Sequence, residues 1–148
     1  MTKNQSVLFV CIHNSARSQM AEAFLRQIGG GSFTVASAGL EAGVLNPLVI
    51  EVMGEIGLDI RNQSTDTVKD IIDQKSQFDY VITVCDAANA QRCPLIPGTM
   101  HTLHWSFDDP ATVSGTSQEK VKQTRVIRDQ IREQVCDFVQ SLGLPLTP

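Results

Sequence analysis

The sequence contains no apolar run approaching the roughly 18 residues that a membrane-spanning helix needs. It also lacks an excess of positive charge: 12 Lys and Arg stand against 16 Asp and Glu, a formal net charge of -4. That balance removes the usual reason to expect nucleic acid or an anionic membrane as a partner. An anionic substrate would have to be attracted locally. Residues 1–6 have neither the basic and apolar segments nor the cleavage site of an export signal, so a cytoplasmic location is expected. The cysteines, Cys11, Cys85, Cys93 and Cys136, are too few and scattered for a disulfide-built domain. In a reducing compartment they rest as thiols, available to chemistry. Aromatic residues are sparse, with one Trp, one Tyr and six Phe, which leaves few platforms for a ring-bearing ligand. Without linkers, repeats or low-complexity stretches, residues 1–148 read as one domain. A chain of this size buries roughly two-thirds of its unfolded surface, enough for a core without metal or disulfide.

Residues 6–10 form an apolar run of the kind buried on both faces of a sheet. After the polar turn at 11–17, residues 18–28 predict a helix with Met20, Ala21, Phe24, Leu25 and Ile28 inward, ended by Gly29, Gly30 and Gly31. Residues 33–37 predict a second strand. Asn46 followed by Pro47 marks a cap and first turn. That helix should reach about residue 56, with Val49, Val52, Met53 and Ile56 inward and Gly57 as its stop. Residues 67–74 predict a shorter helix, 78–84 a central strand and 100–105 the last strand. Over 117–142, Val121, Ile127, Ile131, Val135, Phe138, Val139 and Leu142 recur at helical spacing up to Gly143 and Pro145. Cys136 falls in that apolar pattern and is expected in the core. The order predicts a three-layer α/β domain with a four-stranded, mostly parallel sheet of order 2-1-3-4. The turn at Cys11 then lies at the carboxyl edge of the sheet, where the winding reverses and ligands bind.

That turn is Cys11, Ile12, His13, Asn14, Ser15, Ala16 and Arg17, followed by Ser18. If it wraps from strand into helix, its backbone N–H groups converge on one centre, and the first helical turn adds unpaired donors. Such a nest binds a tetrahedral oxyanion without a basic protein around it. Arg17 can return over the loop and pair bidentately with two oxygens. The same field favours Cys11 as a thiolate, able to attack the central atom of the anion. Asn14 can tie the loop into shape, and Ser18 can donate to the sulfur. Taken alone, Cys11 reads as a buried cysteine closing a strand; its combination with the polar turn, Arg17 and Ser18 favours chemistry. His13 either faces solvent or tunes the electrostatics.

Residues 11–22, CIHNSARSQMAE, resemble the oxyanion loop of the low-molecular-weight protein tyrosine phosphatase superfamily, and more closely its thiol-coupled arsenate reductase branch. The resemblance continues through Ser37, Ala38 and Gly39, Asn46 and Pro47, Ser64, Thr65 and Asp66, Cys85, Cys93 and Pro94, and residues 104–110 (HWSFDDP), spanning nearly the whole chain. It implies the low-molecular-weight phosphatase-like fold, with Cys11 as nucleophile, Arg17 as anion clamp and Asp109 as general acid. By residue type Asp108 is the alternative acid, or a cap for the turn at Pro110. Some members hold a structural potassium ion, at positions matched here by Asn14, Glu22, Ser37 and Asp66. No tightly bound organic cofactor is expected.

The activity implied is reduction of arsenate to arsenite, a two-electron step that two thiols supply by forming one disulfide. In that scheme Cys85 attacks arsenic-bound Cys11 and arsenite departs. Cys93 then attacks Cys85, leaving a Cys85–Cys93 disulfide for a redoxin. Thioredoxin is favoured over a glutaredoxin or a low-molecular-weight thiol. Relatives often carry glycine and cysteine at the positions of His13 and Ala16, and the stretch from Cys85 to Cys93 is slightly longer here. These departures leave the relay intact but loosen the inference about the partner. Without the resemblance, Cys85 and Cys93 read as packing or, with His101 and His104, as an improvised zinc site lacking the usual CxxC spacing. Two rival functions use the same loop. One is phosphotyrosine phosphatase activity, against which stand Ala111 and Thr112, where such enzymes usually present aromatic residues. The other is noncatalytic oxyanion binding or redox signalling.

Overall fold

The computed structural model describes residues 4–14, 16–41, 43–75, 77–85, 96 and 98–146. Strands β1 (Gln5–Cys11), β2 (Phe33–Gly39), β3 (Tyr80–Thr83) and β4 (His101–His104) form one sheet. β1 pairs in parallel with β2 and β3, and β3 with β4, giving the order β2-β1-β3-β4 that the chain order predicts. Helices α1 (Arg17–Gly29), α2 (Pro47–Gly54), α3 (Val68–Asp73) and α4 (Ser117–Ser141) complete the layers.

β1 is the spine because its alternating side chains are apolar on both faces. Val7 and Phe9 enter a core shared with Met20 and Phe24 of α1, Val49 and Met53 of α2, and Ile131, Val135 and Phe138 of α4. Leu8 and Val10 enter a smaller core with Val68 and Ile71 of α3 and with Phe78, Val81 and Ile96. Val7, Leu8 and Phe9 are fully buried, each contributing about 1.5–3 kcal/mol relative to exposure. Cys136 is only half-buried and touches the margin of the larger core, so its expected core position is corrected to the rim. Along α4 the inward row is Thr124, Ile127, Ile131, Val135, Phe138 and Val139.

Helix ends follow their local chemistry. Asn46 caps α2, its side chain accepting from the Leu48 N–H at 2.9 Å, and Thr67 with Asp70 makes a capping box on α3. α2 stops at Gly54, short of residue 56, because the Leu58 N–H bonds back to the Met53 carbonyl at 3.0 Å and closes the turn. Ile56 is consequently half-buried. β3 and β4 are shorter than their apolar runs, yet pairing continues past them, with Val84 N–H on the Val10 carbonyl at 2.9 Å and Trp105 N–H on the Thr83 carbonyl at 2.8 Å. Among the described residues no helix is long and apolar enough to cross a membrane. Because the sheet is parallel, the carboxyl ends of all four strands meet at one edge, and the polar turn after β1 opens there.

Candidate active site

The turn wraps from β1 into α1 around the Cys11 sulfur. Ser18 Oγ lies 2.9 Å from Cys11 Sγ, and the Asn14 backbone N–H donates to the same sulfur at 3.1 Å. Asn14 achieves this with a left-handed φ of 51°, a conformation that costs most non-glycine residues about 1–2 kcal/mol and asparagine less. Ser18 also donates to Asn14 Oδ1 at 2.7 Å. One hydroxyl has one proton. With Cys11 as a thiol, S–H donates to Ser18 and Ser18 to Asn14. With Cys11 as a thiolate, the Ser18 proton must turn to sulfur, leaving the sulfur two donors. α1 starts at Arg17 without any side-chain cap, so its first-turn N–H groups stay available to an anion. Ile12 and Ala16 are buried, and His13 is exposed, 3.4 Å from Glu41. Ser15 lies outside the described residues.

The segment after β2 supports the turn from behind. Leu40 and Glu41 N–H groups bond to the carbonyls of Cys11 and Ile12 at 3.0 and 2.9 Å. The approach is so close that a Cβ on Gly39 would lie 2.6 Å from the Asn14 nitrogen, and one on Gly43 would strike the His13 carbonyl. Glycine is required at both places by space alone.

Arg17 is 4% exposed despite its charge. Its guanidinium donates to the Phe107 carbonyl at 3.0 Å and meets Asp109 at 3.5 Å. The loop after β4 is held over it by Trp105, whose ring packs on Phe9 and Phe138. Asp109 rather than Asp108 faces Arg17; its other oxygen accepts from the Ala111 N–H at 2.9 Å. A recess beside this loop is lined by Val44, Leu45, Pro110, Ala111 and Val113, with no aromatic ring among its described residues.

Cys85 emerges from the strand beside β1, one residue beyond the bond from Val84 to the Val10 carbonyl. Cys11 and Cys85 are both buried and neither is in a disulfide. Adjacent strands run about 4.8 Å apart, so the two thiols leave the sheet at one edge. Cys93 lies outside the described residues. The zinc alternative loses its histidines: His104 is held by Thr83 at 2.6 Å and Ser106 at 2.9 Å, and His101 stacks on Tyr80. Among the described residues no group of three or more His, Cys, Asp and Glu is placed for a metal.

Asn14, Glu22, Ser37 and Asp66 do gather beneath the loop, and their oxygens are the hard donors a potassium ion takes. Asn14 turns its Nδ2 to the carbonyls of Ser37 and Asp66, at 3.4 and 3.5 Å. Glu22 accepts from Ser37 Oγ at 2.6 Å and pairs with Arg26 at 2.8 Å. Glu22 and Ser37 thus pair directly, the Asn14 amide lies at the outer limit of hydrogen bonding to the two carbonyls, and the donor set is one that potassium could take.

Several contributors had no signal in the sequence: the Phe107 carbonyl, Gly39 and Gly43, and Gln19, a fully buried amide. Only a polar residue next to the loop hinted at the last.

Relatives match the sequence and the fold over nearly the whole chain. An arsenate reductase of Bacillus subtilis (strain 168) is 40% identical over 140 residues, 94% of this chain and 98% of the relative. A solved arsenate reductase in the phosphate binding state superposes with a TM-score of 0.75 at 31% identity, covering 93% of this chain and 98% of the other. A thioredoxin-dependent arsenate reductase of Corynebacterium glutamicum gives a TM-score of 0.68 at 30% identity, covering 95% of this chain and 62% of that one. With residues 6–144 matching its pattern, the chain belongs to the low molecular weight phosphotyrosine protein phosphatase family.

Proposed function

We propose that this protein reduces arsenate to arsenite in the cytoplasm, with Cys11 as nucleophile and thioredoxin as the source of electrons. The observation that carries this reading is a buried sulfur with two hydrogen-bond partners, Ser18 and the Asn14 N–H, in a loop that opens onto Arg17. The relatives named as arsenate reductases support the substrate, and the thioredoxin-dependent one supports the reductant.

In the proposed sequence the loop N–H groups and Arg17 hold arsenate, and the Cys11 thiolate attacks arsenic. Asp109 delivers a proton so that an oxygen leaves as water. The Cys85 thiolate then attacks Cys11 Sγ. The sulfur–arsenic bond breaks with its electron pair remaining on arsenic, which departs as arsenite, and a Cys11–Cys85 disulfide forms. Cys93 attacks Cys85, freeing Cys11 as a thiolate, and thioredoxin reduces the Cys85–Cys93 bond by dithiol exchange.

Mixing the protein with arsenate, thioredoxin, its reductase and NADPH tests the proposal. Arsenite should appear mole for mole with NADPH oxidised, and Cys11→Ser should produce none. Cys93→Ser should make one arsenite per chain and stop; sustained turnover by that variant would remove Cys93 from the scheme. Phosphatase activity toward aryl phosphates is expected to be weak, because the recess beside Pro110 offers aliphatic side chains and no described aromatic ring.

A further inference from the structure

Gln19 is fully buried at the third position of α1, where an exposed polar residue would be ordinary. Its Nε2 donates to the carbonyl of Asn14 at 2.9 Å and to that of Ser64 at 2.9 Å, and its Oε1 accepts from Gln63 Nε2 at 2.6 Å. Both protons and the oxygen of the amide are therefore used. Asn14 is the loop residue with a left-handed φ of 51°, and its N–H faces the Cys11 sulfur. Such a conformation persists only where surrounding contacts hold it. The second anchor is equally pointed: residues 63–67 flank the loop, with the Asp66 carbonyl accepting from Gly39 N–H at 2.8 Å.

We propose that Gln19 is a positioning residue for the oxyanion loop: its amide cross-links the Asn14 and Ser64 carbonyls and so fixes the backbone that aims the Asn14 N–H at the nucleophilic sulfur. Gln63 acts one step further out by orienting the Gln19 amide. The inference rests on Cys11 working in an oxyanion-binding loop. An apolar side chain of the same length cannot replace Gln19, because it takes the donor from the buried Asn14 carbonyl and cuts the tie to Ser64, whose carbonyl is only part-buried. The loop then relaxes to find the Asn14 carbonyl another donor, and Asn14 leaves its left-handed conformation.

Amide hydrogen exchange and phosphate binding on Gln19→Met, with Gln63→Ala as a milder second variant, decide the matter. Exchange at the Asn14 N–H should quicken about tenfold more than at Val7, Leu8 and Phe9, whose amides report stability of the whole sheet. The dissociation constant for inorganic phosphate should rise about tenfold in Gln19→Met, with a smaller change of the same sign in Gln63→Ala. Equal quickening at Asn14 and along β1, with phosphate affinity intact, would make Gln19 a packing residue and overturn the proposal. If Gln19→Met does not fold, unchanged Asn14 exchange in Gln63→Ala overturns it. A wild-type protein that fails to bind phosphate counts against the oxyanion loop itself, whereas the exchange comparison still reads the tie from Gln19 to Asn14.

Discussion

The single hydroxyl proton of Ser18 separates two jobs at the loop. It answers to Asn14 when Cys11 is a thiol and to sulfur when Cys11 is a thiolate, whereas Arg17 contacts Asp109 and in the proposed chemistry clamps the anion. Ser18→Ala should therefore slow alkylation of Cys11 by iodoacetamide about tenfold at neutral pH and change phosphate affinity much less. Arg17→Lys should do the reverse, weakening phosphate binding roughly 10–100-fold by calorimetry, since an ammonium cannot span two oxygens. Cys11, Arg17 and Ser18 were legible in the sequence because their residue types carry reactivity and charge at a strand-to-helix junction. Gln19 and the Phe107 carbonyl were not: an amide's burial and a carbonyl's direction depend on tertiary packing, which residue type does not report.

At the scale of elements, α4 holds the molecule together by its apolar row and by ion pairs to the end of α2. Ile131 is fully buried among α1 and the sheet. Ile131→Ala should cost about 2–5 kcal/mol in urea denaturation, transfer and cavity terms together. Glu55, just past α2, binds Arg125 at 2.6 Å and Arg128 at 3.1 Å. The Arg125 hydrogen bond, with Arg128 assisting, holds its carboxyl below the ordinary value of 4.5. A lowered carboxyl contributes stability that is fully present above 4.5 and is lost as pH falls through the native value. Glu55→Gln should thus lower Tm by about 1–3 °C at neutral pH, with the difference shrinking in acid as Glu55 takes up its proton. Element types were legible because β1 is apolar from Val7 to Val10 and α4 repeats at helical spacing. Ends were less so: the stop of α2 at Gly54 depends on the Leu58 N–H reaching back to Met53, a bond invisible in the apolar pattern.

For the whole molecule, parallel pairing brings separate stretches of chain to one edge. Cys11 leaves β1 there, Cys85 follows β3 beside it, and the loop after β4 brings Asp109 to Arg17. The sheet order was legible from the succession of elements and the handedness of crossovers. The Arg17–Asp109 contact was not, because residues so far apart in sequence meet only through the packing of Trp105 and Phe107. In the proposed chemistry an arsenate-bound Cys11 passes its new bond to Cys85. The most direct measurement is peptide mass mapping of the Cys93→Ser protein after arsenate treatment and rapid alkylation. A Cys11–Cys85 linkage forming in step with one arsenite per chain is the predicted result; arsenite accumulating while Cys11 is recovered fully alkylated as a monothiol would contradict it.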